Sequence, residues 1–187
     1  MMRILRNADY RRMPWKNGGG ETREIAASPE GASLDNFDWR LSMARVASDG
    51  PFSQFPGIER TLSVLEGNGI VLTIEGMPPI LLGKARAPFG FDASVKAEAA
   101  LKDGPIVDLN VMSRKGRARH HCYRILVEGK VDLEAKTTVI FSIADELTVD
   151  DGKSKITLGH YDCAVIQRSE NQSLTVSGGD CYVTDIN

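Results

Sequence analysis

Cysteine and histidine are both scarce, three of each in 187 residues. Cys122, Cys163 and Cys181 are odd in number and irregularly placed, which excludes a disulfide framework and a Cys-rich zinc site. They read as small buried hydrophobes of a reducing compartment. His120 and His121 are adjacent, so on a strand they point to opposite faces, and no His-x-His occurs. No metal and no cofactor is expected from such a set. A basic excess is missing too: Lys plus Arg is 23 against 25 Asp plus Glu, a formal charge of −2. That argues against a nucleic-acid partner. No apolar run approaches the roughly 20 residues of a spanning helix, and residues 1–7 hold no signal-peptide core. The reading is a soluble cytoplasmic chain with no membrane partner. There is no Gly-x-Ser-x-Gly elbow, and glycines 18–20 are not followed by Lys-Ser/Thr, so no P-loop either.

Helical periodicity is nearly absent; the chain has the texture of strands. Residues 37–47 set Phe37, Trp39, Leu41 and Met43 against Asp38, Arg40, Ser42 and Ala44, a period of two. Residues 61–65 and 70–74 flank Gly67-Asn68-Gly69 and read as a hairpin. Residues 106–112 put Val107, Leu109 and Val111 on one face and Ile106, Asp108, Asn110 and Met112 on the other. Polar groups between apolar ones on a single face mark either an exposed face or a cavity lining. Further strand candidates lie at 4–6, 80–82 and 95–101, and after the basic stretch 113–119 the texture resumes at 123–127, 137–141, 156–158, 163–166, 174–176 and 181–184, with turns at 128–130, 150–152 and 177–180. Short strands with evenly spaced turns indicate an all-β sandwich or barrel. Two similar barrels are expected, residues 1–119 and 120–187. An open sheet edge in either is where a second copy would pair to give a homodimer.

Residues 13–22 combine Trp15, Lys16 and Asn17 with three successive glycines. Neither helix nor strand favours that composition. It reads as a tight turn, or as a bend that lets another group approach Lys16 and Asn17. Lys16, Arg40, Arg45 and Arg60 all lie in the first third, each beside apolar strand or aromatic loop residues. Arginine suits bidentate capture of a carboxylate; the competing reading lays each stem along the surface. Strict alternation puts Arg40 and Arg45 on opposite faces unless a bulge intervenes. Ser53, Asn17, Asp108 and Asn110 could add hydrogen bonds.

Longer motifs carry a resemblance. Met13-Pro14-Trp15-Lys16-Asn17-Gly18-Gly19-Gly20-Glu21-Thr22, Phe37-Asp38-Trp39-Arg40-Leu41-Ser42, Asp49-Gly50-Pro51-Phe52-Ser53-Gln54-Phe55-Pro56-Gly57 and Asp108-Leu109-Asn110-Val111-Met112-Ser113-Arg114 resemble the signature blocks of the HutD/Ves family. The match covers residues 3 to about 119, the remainder by texture only. The resemblance implies an all-β bicupin, two cupin-like barrels or jelly rolls in one chain. Cupin metal sites use a His-x-His with a Glu; the corresponding stretch 58–67 has no His, which fits the expectation of no metal. The family is linked to histidine utilisation, where it resembles a regulatory sensor of a small carboxylate metabolite such as urocanate or formylglutamate; other branches are linked to stress. The site expected on this footing takes Lys16, Arg45 and Arg60 as charge partners, with Arg40 nearby. Asn17, Ser53 and Asn110 orient the ligand, and Trp15, Phe52 and Phe55 wall it. A rival expectation is a metal-free lyase or isomerase using Lys16 as base or Glu66 as acid; a third is a structural interaction module.

Overall fold

The structure, a computed structural model, describes residues 1–169 and 172–187. In chain order the strands are β1 (Met2–Leu5), β2 (Arg11–Pro14), β3 (Gly20–Ser28), β4 (Trp39–Val46), β5 (Gly50–Pro51), β6 (Ile58–Glu66), β7 (Ile70–Ile74), β8 (Ile80–Leu82) and β9 (Phe89–Asp92). They continue as β10 (Ala97–Leu101), β11 (Ile106–Arg114), β12 (His120–Asp132), β13 (Thr137–Ser142), β14 (Leu147–Asp150), β15 (Lys155–Leu158), β16 (Cys163–Gln167) and β17 (Thr175–Ile186). The one helical element among the described residues is a 3-10 turn, Asn7–Asp9, so the all-β expectation holds. Among the described residues no helix is long and apolar enough to cross a membrane. The backbone divides into two compact units.

The larger unit, Arg11–Arg119, holds a six-stranded sheet in the order β2-β3-β4-β11-β6-β9 and a four-stranded sheet in the order β5-β10-β7-β8. Alternation does the sorting. Ala44, Val46, Leu62, Val64, Phe91 and Ile106 from the first sheet join Ile70, Leu72, Ile74, Leu82, Ala97 and Ala99 from the second in one apolar cluster. Here the structure corrects the expected hairpin: β6 pairs with β11 and β9, while β7 pairs with β10 and β8. Gly67-Asn68-Gly69 therefore carries the chain from one sheet to the other. Both glycines are left-handed, φ 86° and 99°. A Cβ on Gly67 would meet the Pro105 carbonyl oxygen at 2.5 Å, and one on Gly69 the Leu82 oxygen at 2.4 Å. The corner is thus too tight for any side chain at either position.

The smaller unit joins Met1–Tyr10 to His120–Asn187. Its seven-stranded sheet runs β1-β16-β13-β17-β14-β15, with β12 added on β17. The first ten residues thus leave the unit to which the sequence reading assigned them. β1 pairs with β16 over Met2–Ile166 to Leu5–Cys163, Arg6 Nη1 meets Asp162 Oδ2 at 2.6 Å, and the Tyr10 hydroxyl donates to the Tyr161 carbonyl at 2.6 Å. Two expected turns, 128–130 and 177–180, lie instead inside β12 and β17. They face each other across a bulge, where the register shifts between Val127 and Lys130. The turn-forming residues are spent on an irregular pair, Gly178 and Gly179 at φ 74° and 142°, rather than on reversing the chain. Ile140, Leu147, Val149, Ile166, Val176 and Val183 are among the core residues of this unit, and all three cysteines are buried and free.

Candidate functional site

Three adjacent strands of the larger unit, β4, β11 and β6, present the same inner face at even-numbered positions. At one end that face supplies Ala44, Val46, Leu62, Val64 and Ile106 to the main core. At the other, Ile58 and Met112 join Phe37 and Ala93 in a second apolar cluster. Between the two lies a polar belt: Arg40 and Ser42 on β4, Arg60 on β6, Asp108 and Asn110 on β11. All five are buried, Arg40 and Arg60 at 5% exposure and Asp108 at 0%. The register explains the convergence. Arg40 and Arg60 both lie opposite Met112 from the two sides of β11, and Asn110 lies opposite Ser42. Of the two sequence readings of Asp108 and Asn110, the exposed face is excluded.

The belt is organised as two hydrogen-bonded chains. Arg60 Nε donates to Asn110 Oδ1 at 2.8 Å, and its Nη2 donates to the same oxygen. Asn110 Nδ2 then donates to Asp108 Oδ1 at 2.6 Å. Arg40 Nε donates to Glu24 Oε2 at 2.8 Å, and its Nη1 to Ser42 Oγ at 3.0 Å. The Arg60 guanidinium stacks on Phe52, 4.2 Å from the ring centroid, with Phe91 at 5.7 Å. Phe52 is fixed there because its N–H donates to the Ala97 carbonyl at 2.9 Å.

The electrostatics of this belt are unsaturated. Asp108 Oδ2 is buried and has no hydrogen-bond partner. Arg60 spends its Nε and Nη2 donors on a neutral amide rather than on a carboxylate. Burial lowers Arg60 to about 10, the Asp108 charge opposing and the Arg40 charge adding to the fall. Burial raises Asp108 to about 6, against the pull of Arg60 and the Asn110 hydrogen bond. Two buried guanidiniums and a carboxyl held near neutrality can accept an anion, and the carboxyl can exchange a proton. Among the described residues no three His, Cys, Asp or Glu side chains are grouped to hold a metal.

The structure brings together Arg40, Arg60, Asp108, Asn110 and Phe52 of the residues singled out in the sequence. It does not bring the others into the belt. Lys16 and Asn17 are exposed on the glycine turn, where Asn17 Oδ1 accepts the Gly19 N–H at 3.0 Å. Gly18 is left-handed at φ 71°, and a Cβ on Gly20 would lie 2.9 Å from the Trp15 ring and 2.3 Å from the Arg45 carbonyl. The turn reading of this stretch is therefore correct, and its last glycine seats Trp15, which packs against the main core and donates Nε1–H to Thr22 Oγ1 at 2.8 Å. Arg45 is exposed, as strict alternation from Arg40 requires, and Ser53 is exposed. Phe55 packs on the second cluster instead. Glu66 is exposed at the end of β6. Sequence reasoning missed Glu24 and Ser42, the partners of Arg40. The signal for Ser42 was its place two residues along the same strand.

A family model described as HutD matches residues 7–183. The chain is 35% identical over 186 residues to an uncharacterized 21.2 kDa protein in the hutC 3' region of Pseudomonas putida, covering 97% of this chain and 96% of that one. It is 40% identical over 116 residues to protein Ves of Citrobacter koseri, where the match spans 59% of each. Among solved structures, HutD from Pseudomonas fluorescens SBW25, obtained in a formate condition, superposes with a TM-score of 0.88 at 34% identity, covering 100% of this chain and 98% of that one. A cupin 2 conserved barrel domain protein from Leptotrichia buccalis shares the fold at a TM-score of 0.56 and 11% identity, covering 97% and 98%.

Proposed function

The chain belongs to the HutD family, and from that premise we propose that it is a cytoplasmic regulator of histidine utilisation that binds a small acidic metabolite in the larger unit. On this reading each unit is a cupin-like barrel, the pair a bicupin, and the polar belt is the ligand site of the first barrel. The observation that carries the proposal is Arg60: a buried guanidinium whose Nε and Nη2 face an amide rather than a carboxylate. A ligand carboxylate gives it a charge-assisted bond. Arg40 and Ser42 lie on the same buried face, and on this reading Asn110 orients the ligand and Phe52 walls it. Lys16, on its exposed turn, is assigned the outer part: drawing an anion in.

Calorimetry with urocanate and with formylglutamate tests this. Binding of one of them is expected, weakened at least about tenfold by Arg60→Lys, which keeps the charge and loses the planar fork. Lys16→Ala is expected to slow association with a smaller loss of affinity. No binding of either compound, or wild-type affinity in Arg60→Lys, overturns the assignment.

A second reading, a metal-free lyase or isomerase acting on a small carboxylate, is favoured by one observation: a buried carboxyl raised to about 6 suits proton transfer near neutrality. It replaces Lys16 and Glu66, both exposed, with Asp108 as the acid–base group. Turnover of either compound, abolished in Asp108→Asn, decides for it; binding without turnover decides for the regulator.

A further inference from the structure

Among the described residues seven strands end a sheet in the two units, and six of them are short: β1, β2, β9 and β15 have four residues each, β8 three and β5 two. Short edges, and a proline such as Pro14 on β2, keep a sheet from templating another chain. β12 is the exception in length, and the register shift between Val127 and Lys130 in its pairing has its positive-φ residues, Gly178 and Gly179, on β17. β12 has thirteen residues and, among the described residues, pairs with β17 alone. Tyr123, Ile125 and Val127 turn one face of it into the core of the smaller unit. The opposite face carries Arg124, Leu126 and Glu128. Leu126 is 68% exposed, the most of any large apolar residue after the terminal Met1. Arg124 is fixed on the edge by Asp180, its Nε 3.0 and 3.1 Å from the two carboxylate oxygens.

We propose that β12 is a homodimer edge, at which a second copy of this chain pairs antiparallel about Leu126 and continues the seven-stranded sheet across a two-fold axis. The occupant is argued from charge. In the register that overlaps the two strands end to end, Leu126 lies opposite its own copy, Ile125 opposite Val127, and Arg124 opposite Glu128, the last pair occurring twice by symmetry. Opposite charges directly across an antiparallel pair stabilise it, and like charges there oppose it. Moving the axis one residue forward sets Arg124 against Lys130 and Leu126 against Glu128. Moving it one residue back sets Arg124 against Leu126 and His120 against Lys130. The end-to-end register is the one in which the apolar residue meets itself and each flanking charge meets its opposite. The strand is therefore self-complementary, which a site for an unrelated partner has no reason to be.

Sedimentation equilibrium of the full chain is the test. The wild type is expected to be dimeric. Leu126→Asp is expected to be monomeric, and Glu128→Arg to raise the dissociation constant at least about tenfold by setting two like-charge pairs face to face. Both positions are exposed, so circular dichroism of the variants is expected to match the wild type. Leu126→Cys is expected to form a covalent dimer on mild oxidation, whereas Met77→Cys, 44% exposed in the larger unit, is not. A monomeric wild type, a dimer unmoved by both Leu126→Asp and Glu128→Arg, or equal cross-linking through Met77→Cys overturns the proposal.

Discussion

Burial lifts the Asp108 carboxyl from an ordinary 3.8 to about 6, while the Arg60 charge and the Asn110 amide hold the rise in check. The other charged groups of the belt are Arg40 and Glu24, themselves paired at 2.8 Å. A carboxyl raised in the folded state favours folding while it is protonated. That contribution is complete below the unfolded value and is lost as pH rises through about 6. Asp108→Asn removes the titration and keeps the shape. Urea unfolding of both proteins across this range is expected to show the wild type losing stability relative to the variant between about pH 4 and pH 6, and no further divergence above. A difference that stays constant through that window would mean that Asp108 ionises as freely in the fold as out of it. The same titration bears on binding. On the proposed reading an anion beside Arg60 disfavours a second negative charge on Asp108, so the affinity for a bound carboxylate is expected to fall as pH rises above about 6 in the wild type and not in Asp108→Asn.

At the scale of the element, the six-stranded sheet owes its polar belt to alternation, and this much was legible in the sequence. The period of two in residues 37–47 puts Arg40 inside and Arg45 outside, and the mixed face of residues 106–112 marks Asp108 and Asn110 as unusual. What period alone does not encode is which strand lies beside which. Residues 61–65 and 70–74 look like hairpin partners because a short glycine loop joins them, yet they enter different sheets. The turn chemistry of Gly67-Asn68-Gly69 is compatible with both outcomes, and only the carbonyls of Pro105 and Leu82, distant in sequence, decide. The same holds for Gly178 and Gly179, where turn residues serve a bulge. Asn17 shows a related ambiguity: it closes its own turn through Gly19, a use that local sequence permits as readily as ligand contact. The corner glycines give a direct prediction. Gly67→Ala must leave the left-handed region or push against the Pro105 oxygen at 2.5 Å. Denaturant unfolding is expected to show a loss of about 2 kcal/mol or more, whereas Gly116→Ala, left-handed but with open space around it, is expected to lose only about 1 kcal/mol. Equal losses would assign the corner's cost to backbone conformation alone.

At the scale of the whole molecule, the chain starts in one unit, builds the other without interruption from Arg11 to Arg119, and returns to complete the first. The first ten residues therefore hold a stability that belongs to residues more than a hundred positions away. β1 caps the β16 edge along four residue pairs. The Asn7 N–H donates to Asp162 Oδ1 at 2.9 Å and Arg6 to its other oxygen, and these bonds help hold the Asp162 carboxylate below its ordinary range despite burial. Tyr10, 7% exposed, adds an aromatic ring to the same unit, and burial pushes its hydroxyl far above the usual phenol range. Deleting Met1–Tyr10 removes the buried ring, which alone contributes about 2 kcal/mol, together with a row of backbone bonds and the partners of Asp162. Hydrogen exchange followed along the chain is the measurement, since it separates local opening from global unfolding. Amides of β13, β16 and β17 are expected to lose protection by about two orders of magnitude or more, while those of β4, β6 and β11 keep theirs. Loss spread evenly over both sets would make the chain a single cooperative body. Unchanged protection of β16 would mean that β1 rests on that edge without supporting it.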